Sequence, residues 1–297
     1  MVSWILIAVI AYILLAVNGV ADKFLLTKRI GNPGVYAFYV GISSLAVLAL
    51  LPFGIHALTP ANYLVAALAG IAFTFALYFF YLSIQRASIS RILPIEGGLV
   101  PFFTLILAYF TGLDSLNHTQ LLAFALLVIG AVVIDFKKTK TGWHALGWRD
   151  MVLAAFLFAV SFILTKYIYN ETNFISGLIW TRLGLALGAA LLLLSPKTRH
   201  DIMAAPRQTS KQSKFLFYSS HMAGAAGSLL QNYAIALGSV VIVNALQGVQ
   251  FVFVLLLGIV FSEFYPKILK EDITGSILAQ KIIAIALITT GLVFLSL

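Results

Sequence analysis

Arg91-Ile-Leu-Pro-Ile-Glu-Gly-Gly-Leu-Val-Pro101 opens an apolar run that continues through Phe102 and Phe103 to Phe110. It sets one carboxylate, Glu96, inside a segment of membrane length. A charge at that depth costs roughly 2.5–3.5 kcal/mol on insertion scales, so the acid belongs on the inner side of a helix bundle. Pro94, Gly97, Gly98 and Pro101 surround it, and each weakens regular helix. The expectation is a broken helix, which membranes tolerate only against protein or a watery cavity. The competing reading is a Glu near a helix start, snorkelling or neutralised by Arg91 about one turn earlier.

The rest of the chain agrees with a membrane setting. Of 297 residues, 61% are hydrophobic and 10% charged, against about 25% charged in soluble domains; the mean hydropathy is +1.02. This is the composition of an all-α membrane protein. The net charge of +9 does not indicate a nucleic-acid partner, because the basic residues lie in short connections between apolar runs. Cysteine is absent, which excludes disulfides, thiolate metal sites and cysteine nucleophiles. The opening Met-Val-Ser-Trp-Ile has no basic leader and reads as a retained membrane helix.

Apolar runs of membrane length predict ten transmembrane helices, at about 3–22, 34–55, 63–83, 92–110, 118–136, 151–169, 174–195, 214–235, 239–262 and 278–297. The longest connections, Pro196 to Ser213 and Glu263 to Ser276, read as polar surface loops. Of the 19 Lys and Arg, all but Lys166 and Arg182 fall in the odd-numbered connections. The positive-inside rule then puts those connections in the cytoplasm and both termini outside, in a multi-pass protein of the cell (inner) membrane.

The sequence also repeats itself. Ala-Val-Asn18-Gly-Val-Ala-Asp-Lys23-Phe aligns with Ala-Val-Ser161-Phe-Ile-Leu-Thr-Lys166-Tyr. At the same offset Tyr39 falls on Arg182 and Gly41 on Gly184. Further along, Ala87-Ser88 matches Gly238-Ser239, Glu96-Gly97 matches Gln247-Gly248, and Phe102 matches Phe253. Two five-helix halves, 1–136 and 150–297, must have opposite topologies because five is odd. That is the inverted-repeat plan of secondary transporters, with the substrate site near midplane between the halves.

At these residues the chain resembles the EamA family of the drug/metabolite transporter superfamily, over essentially its whole length. In the first half the matching stretch runs from Tyr81-Leu-Ser-Ile-Gln-Arg-Ala-Ser-Ile-Ser to Tyr109-Phe-Thr-Gly-Leu-Asp114. In the second it runs from Tyr233-Ala-Ile-Ala-Leu-Gly-Ser-Val to Val260-Phe-Ser-Glu263. The acid usual after the fourth helix of each unit is kept as Glu263. The first half has Gly112 there and Asp114 two places on. The resemblance implies a ten-helix carrier of small solutes with a central cavity lined largely by the first four helices of each unit.

Several polar positions are candidates for that cavity. His221, Ser228 and Asn232 share a narrow face of the eighth helix, with Gln231 at its border. Asn244, Gln247 and Gln250 share a face of the ninth. Both sets suit substrate hydroxyls or amides, and both also suit bonding from helix to helix. Arg182, beside Trp180 and Thr181, is the only cation deep in a run. It pairs with Glu96, binds a substrate carboxylate or phosphate, or snorkels. Thr74, Tyr78 and Tyr81 lie on one face of the third helix, with Tyr36 and Tyr39 in the second. These tyrosines stack on substrate or anchor and pack the helices. Asn18 lies deep in the first helix. Asp22, Asp135 and Glu263 lie at helix ends and read as structural.

The function expected is secondary transport of small metabolites or drugs by alternating access, either proton-coupled through Glu96 or by exchange. The alternatives are a flippase for an amphipathic lipid-linked substrate and an intramembrane enzyme. An enzyme needs paired acids or a nucleophile and base at one depth, and Glu96 and His221 lie on different helices. No nucleotide-binding loop is present, no cofactor is expected, and a lone histidine makes no metal set. The partners expected are a small-molecule substrate and the lipid bilayer, with the chain a monomer or homodimer.

Overall fold

In the computed structural model the described residues are almost all helical, with no strand among them. The backbone is described for residues 2–28, 32–86, 89–135, 148–208, 211–262 and 275–296, and side chains for 3–19, 32–86, 95–133, 148–204, 222–257 and 279–295. The helices in order are α1 (Val2–Lys28), α2 (Pro33–Ser43), a 3-10 stretch (Ser44–Phe53), α3 (Pro60–Arg86), α4 (Ile89–Thr111), α5 (His118–Asp135) and α6 (Trp148–Glu171). They continue as α7 (Phe174–Leu192), α8 (Pro196–Gln208), α9 (Lys211–Leu237), α10 (Val240–Ala245), α11 (Gln247–Ser262) and α12 (Gly275–Ser296).

The starts of these helices follow from local chemistry. The first N–H groups of a helix lack partners within it, and hydrocarbon supplies none. Asn and Ser side chains supply them instead. Asn32 accepts from Gly34 N–H at 2.8 Å, Asn173 from Ser176 at 2.8 Å, and Ser239 from Ile242 at 3.1 Å. Asn117 and Gln120 cap each other's backbone at 2.8 and 3.0 Å, the reciprocal capping box.

Five segments are long and apolar enough to cross a membrane: Pro33–Phe53, Pro60–Arg86, Trp148–Glu171, Phe174–Leu192 and Val240–Leu257. Ser3–Gly19, Ile95–Thr111, His118–Val133 and Ala279–Leu295 are apolar but shorter within the described residues. Large apolar side chains also cover the outside: Tyr109, Phe110 and Leu194 are 78–80% exposed, with Leu6, Leu64 and Ile282 more than half exposed. A water-soluble monomer rarely shows apolar surface on this scale, whereas a bilayer accepts it without cost. The protein is an all-α membrane protein.

The connections sort into two ends. At one end Asn32 bonds Asp201 and Arg86 pairs with Asp150 at 2.7 Å. That Asn32 bond, with His200 alongside, holds the exposed Asp201 carboxyl below the usual carboxylate range. At the other end His56 N–H donates to Ser176 at 2.8 Å, and Asp114 accepts from Ser239 Oγ at 2.6 Å and Val241 N–H at 3.2 Å. Among the described residues, the contacts of Asn32, Arg86, Asp150 and Asp201 thus lie opposite those of His56, Asp114, Ser176 and Ser239. Lys166, on the side poor in basic residues, caps the end of α9, donating to the carbonyls of Ile235, Ala236 and Gly238 at 2.9, 3.3 and 2.9 Å.

Four expectations need correction. Pro196 to Ser213 is not simply a loop: α8 forms there, with Pro at its first position and Ile202 buried. Lys281, counted with the ninth connection, is buried on α12 at 7% exposure. The second apolar run ends as a 3-10 stretch, which begins where Ser44 Oγ turns back to the Gly41 carbonyl at 2.6 Å. Finally, α4 runs unbroken through Pro94, Gly97, Gly98 and Pro101, while the break falls in the ninth run at Leu246. Its glycines serve contact: a Cβ at Gly97 would strike the Phe251 ring of α11, and one at Gly98 the Val132 side chain of α5.

Small residues also set the closest contact between the halves. A Cβ at Gly70 on α3 would strike the α7 backbone at Thr181, Gly184 and Leu185, and one at Gly184 the α3 backbone at Ala66 and Ala67. Gly184 and Gly188 form the small-xxx-small pattern that lets membrane helices approach backbone to backbone. Thr74 adds a bond across the contact to the Leu185 carbonyl at 2.9 Å.

Candidate functional site

Two polar clusters occupy the bundle interior, and α9 contributes to both. Successive helix residues point about 100° apart, so its neighbours Gln231 and Asn232 face different helices.

The first cluster gathers around Arg182 of α7. Its Nη2 donates to Ser228 Oγ of α9 at 2.7 Å. Tyr169 of α6 stands beside the guanidinium and donates to Asn232 Oδ1 at 2.9 Å, while Asn232 Nδ2 donates to the Ser228 carbonyl at 2.8 Å. A cavity of about 20 Å³ lies here, lined by Ser161, Thr165, Thr181, Arg182 and Asn232 on its polar side and by Phe73, Phe162 and Leu185 among its apolar walls. It has room for about one water molecule. Tyr169 and Asn232 lie near the C-terminal ends of α6 and α9, so this cluster sits toward the end of the bundle where His56 meets Ser176 and Asp114 meets Ser239.

The second cluster gathers around Glu96 of α4. The Gln247 amide of α11 donates to its carboxyl, and the Tyr12 hydroxyl of α1 lies close enough to interact with it electrostatically. Tyr12 donates to the Val243 carbonyl at 2.8 Å and accepts from Gln231 Nε2 at 3.0 Å. In an unbroken helix the Val243 carbonyl would accept from residue 247. Beside the break at Leu246, Tyr12 bonds it instead. Asn244 donates to Thr104 of α4 at 3.2 Å, and Gln250 to the Leu15 carbonyl at 3.4 Å.

An ion pair between Glu96 and Arg182 does not form. Each has neutral hydrogen-bonding partners on its own side of α9, because those helix pairings hold the two groups apart. Of the other candidates, Ser228 and Asn232 join Arg182, and Asn244 and Gln247 join the Glu96 side. Asn18 abuts Gly224 of α9. Trp180 lies elsewhere, donating to the His56 carbonyl at 3.1 Å and meeting Tyr63 edge-on at 4.6 Å, at the end with even-numbered connections. Tyr39 reaches the Ile202 carbonyl of α8 at 3.5 Å. Tyr81 is buried edge-on against Tyr36 at 4.5 Å, and Tyr78 packs against Phe79. In the structure these four stand apart from both clusters, against neighbouring helices or helix ends. The side chains of His221, Asp22 and Asp135, and all of Glu263, lie outside the described residues.

Sequence reading missed Tyr12, Ser161, Thr165 and Tyr169 as site residues. For three of them a signal was present: Ser161, Thr165 and Tyr169 recur at i, i+4 and i+8, one polar stripe on an apolar helix. Tyr12 stands alone on α1 and carries no such mark. Among the described residues no group of acids, histidines or cysteines could hold a metal ion.

Comparison with known proteins shows the fold alone. No family model matches the chain, and no curated protein matches it. Solved structures do: one, described only as "Crystal structure of protein", superposes with a TM-score of 0.71 at 18% identity, covering 99% of this chain and 96% of its own. The fold is therefore one already seen in solved structures, across the whole chain.

Proposed function

We propose that this chain is a ten-helix secondary transporter of the EamA type, moving small metabolites or drugs across the cytoplasmic membrane by alternating access. It is not an enzyme, and both termini lie outside. The observation that carries the reading is a pair of opposite charges, Glu96 and Arg182, held inside one membrane bundle by neutral partners and not by each other. Intramembrane charges are costly and mark substrate and proton pathways.

The helix pairings support two inverted halves. α1 packs on α9 as α3 packs on α6; α4 packs on α6 as α11 packs on α1; α5 packs on α12. Exchanging the halves turns each of these pairs into another or into itself. The close contact of α3 along α7 departs from this pattern, since its mate, α9 along α2, is not closely packed among the described residues. A carrier caught in one of two alternating states has this asymmetry.

Glu96 is the proton carrier in this reading. The test begins with a thermal-shift screen of purified protein against amino acids, sugars, nucleobases and cationic drugs, since a ligand stabilises the fold it binds. The hit is then followed into proteoliposomes under a proton gradient. Glu96→Gln keeps shape and hydrogen bonding but cannot cycle a proton, so gradient-driven accumulation should vanish while substrate exchange survives. Accumulation by Glu96→Gln with unchanged pH dependence would remove Glu96 from the mechanism.

A further inference from the structure

The geometry points to an oxyanion site at Arg182, where a carboxylate or phosphate group supplies the counter-charge that the protein withholds. The inference rests on the transporter reading only in calling that ligand a substrate; the anion site stands by itself. Three observations carry it. The guanidinium is permanently charged and offers five N–H donors in a planar fork, of which the bond to Ser228 Oγ uses one. Its surroundings are neutral: Ser161, Thr165, Thr181, Ser228 and Asn232 are hydroxyls and an amide, and Tyr169 is a phenol. Among the described residues no carboxylate lies against it. The third observation is that the side chain lines a cavity.

These facts favour an anion over other ligands. A cation buried among neutral groups is unfavourable unless something offsets its charge, and Glu96, the acid expected to do so, is bonded to Gln247 instead. Hydroxyls at Ser161 and Thr165 can each donate to an oxyanion, while Thr181 gives its proton to the Gly177 carbonyl at 2.8 Å, and the guanidinium fork matches two oxygens of one carboxylate or phosphate. The cavity holds about one water as it stands, so an oxyanion enters with a small outward shift of its walls. Phe73, Phe162 and Leu185 on those walls accept an apolar portion of the same ligand.

The experiment is a thermal-shift series on the purified full chain with millimolar sodium butyrate, butyramide, butylamine and inorganic phosphate. Butyrate or phosphate should raise the melting temperature by roughly 5 °C when far above its Kd, and butyramide and butylamine should not. The two anion arms separate a carboxylate site from a phosphate site. Arg182→Gln should abolish the shift, and Arg182→Lys, which keeps the charge but loses the fork, should weaken binding about tenfold. Without anion, Arg182→Gln should melt at or above the wild type, since it removes an uncompensated charge. The proposal is overturned if neither anion shifts the wild type, if butyramide shifts it as much as butyrate, or if Arg182→Gln still responds. It also falls if Arg182→Gln unfolds, because Arg182 would then be a structural tie. Anion binding without transport in proteoliposomes would leave this site standing and remove the transporter reading.

Discussion

Residues 89–111 and 240–262 are mates in the sequence repeat, with Glu96 set against Gln247, yet they fold differently. The first carries Pro94, Gly97, Gly98 and Pro101 and is one continuous helix, α4. The second has no proline and breaks at Leu246 between α10 and α11. The two also differ in what neighbouring helices offer their backbones. Phe102, Tyr109 and Phe110, further along α4, face outward, toward lipid, where every missing hydrogen bond is costly, while Gly97, Val100 and Pro101 are buried against neighbouring helices. Val240 to Leu246 are all buried in protein, and there Tyr12 reaches the Val243 carbonyl from α1. The break at Leu246 has a neighbour that bonds what it releases, and the helix-weakening residues of α4 do not by themselves break it.

Gly97→Leu should disturb this comparison most. Its side chain would enter the space of the Phe251 ring, and overpacking of this kind costs about 1–3 kcal/mol or more. The melting temperature in detergent should fall by several degrees, and Phe251→Ala in the same chain should restore part of it. A Gly97→Leu protein as stable as wild type would mean that α4 and α11 do not meet there. Tyr12→Phe tests the break itself. It leaves the Val243 carbonyl without the hydroxyl, at about 1–3 kcal/mol for a buried group left unpaired. Faster amide exchange at residues 243–249 than in α4 is the specific sign, and uniform exchange would argue against a role for Tyr12 in the break. The smallest effect is expected from Asn244→Ala, which loses the bond to Thr104. Bonds between membrane helices average about 0.6 kcal/mol, so a loss above about 2 kcal/mol would show that Asn244 does more than join α10 to α4.

The amino-acid sequence by itself determined that this is a helical membrane protein and about where its helices lie. Apolar runs in hydrocarbon have little choice but to close their hydrogen bonds within the segment, and Asn32, Asn117, Asn173 and Ser239 mark helix starts by capping chemistry that acts over three residues. The shared face of Ser228 and Asn232 was legible for the same reason, since a face is a property of one helix. Which helix that face meets was not. The parting of Glu96 from Arg182, the gathering of Tyr169 with Asn232, and the rescue of Val243 by Tyr12 all depend on how each helix is turned about its axis and which neighbour it meets. Those choices are made where Gly70 admits the backbone of α7 and Gly97 admits Phe251. Such contacts join segments far apart in the chain, so only the packed bundle decides them.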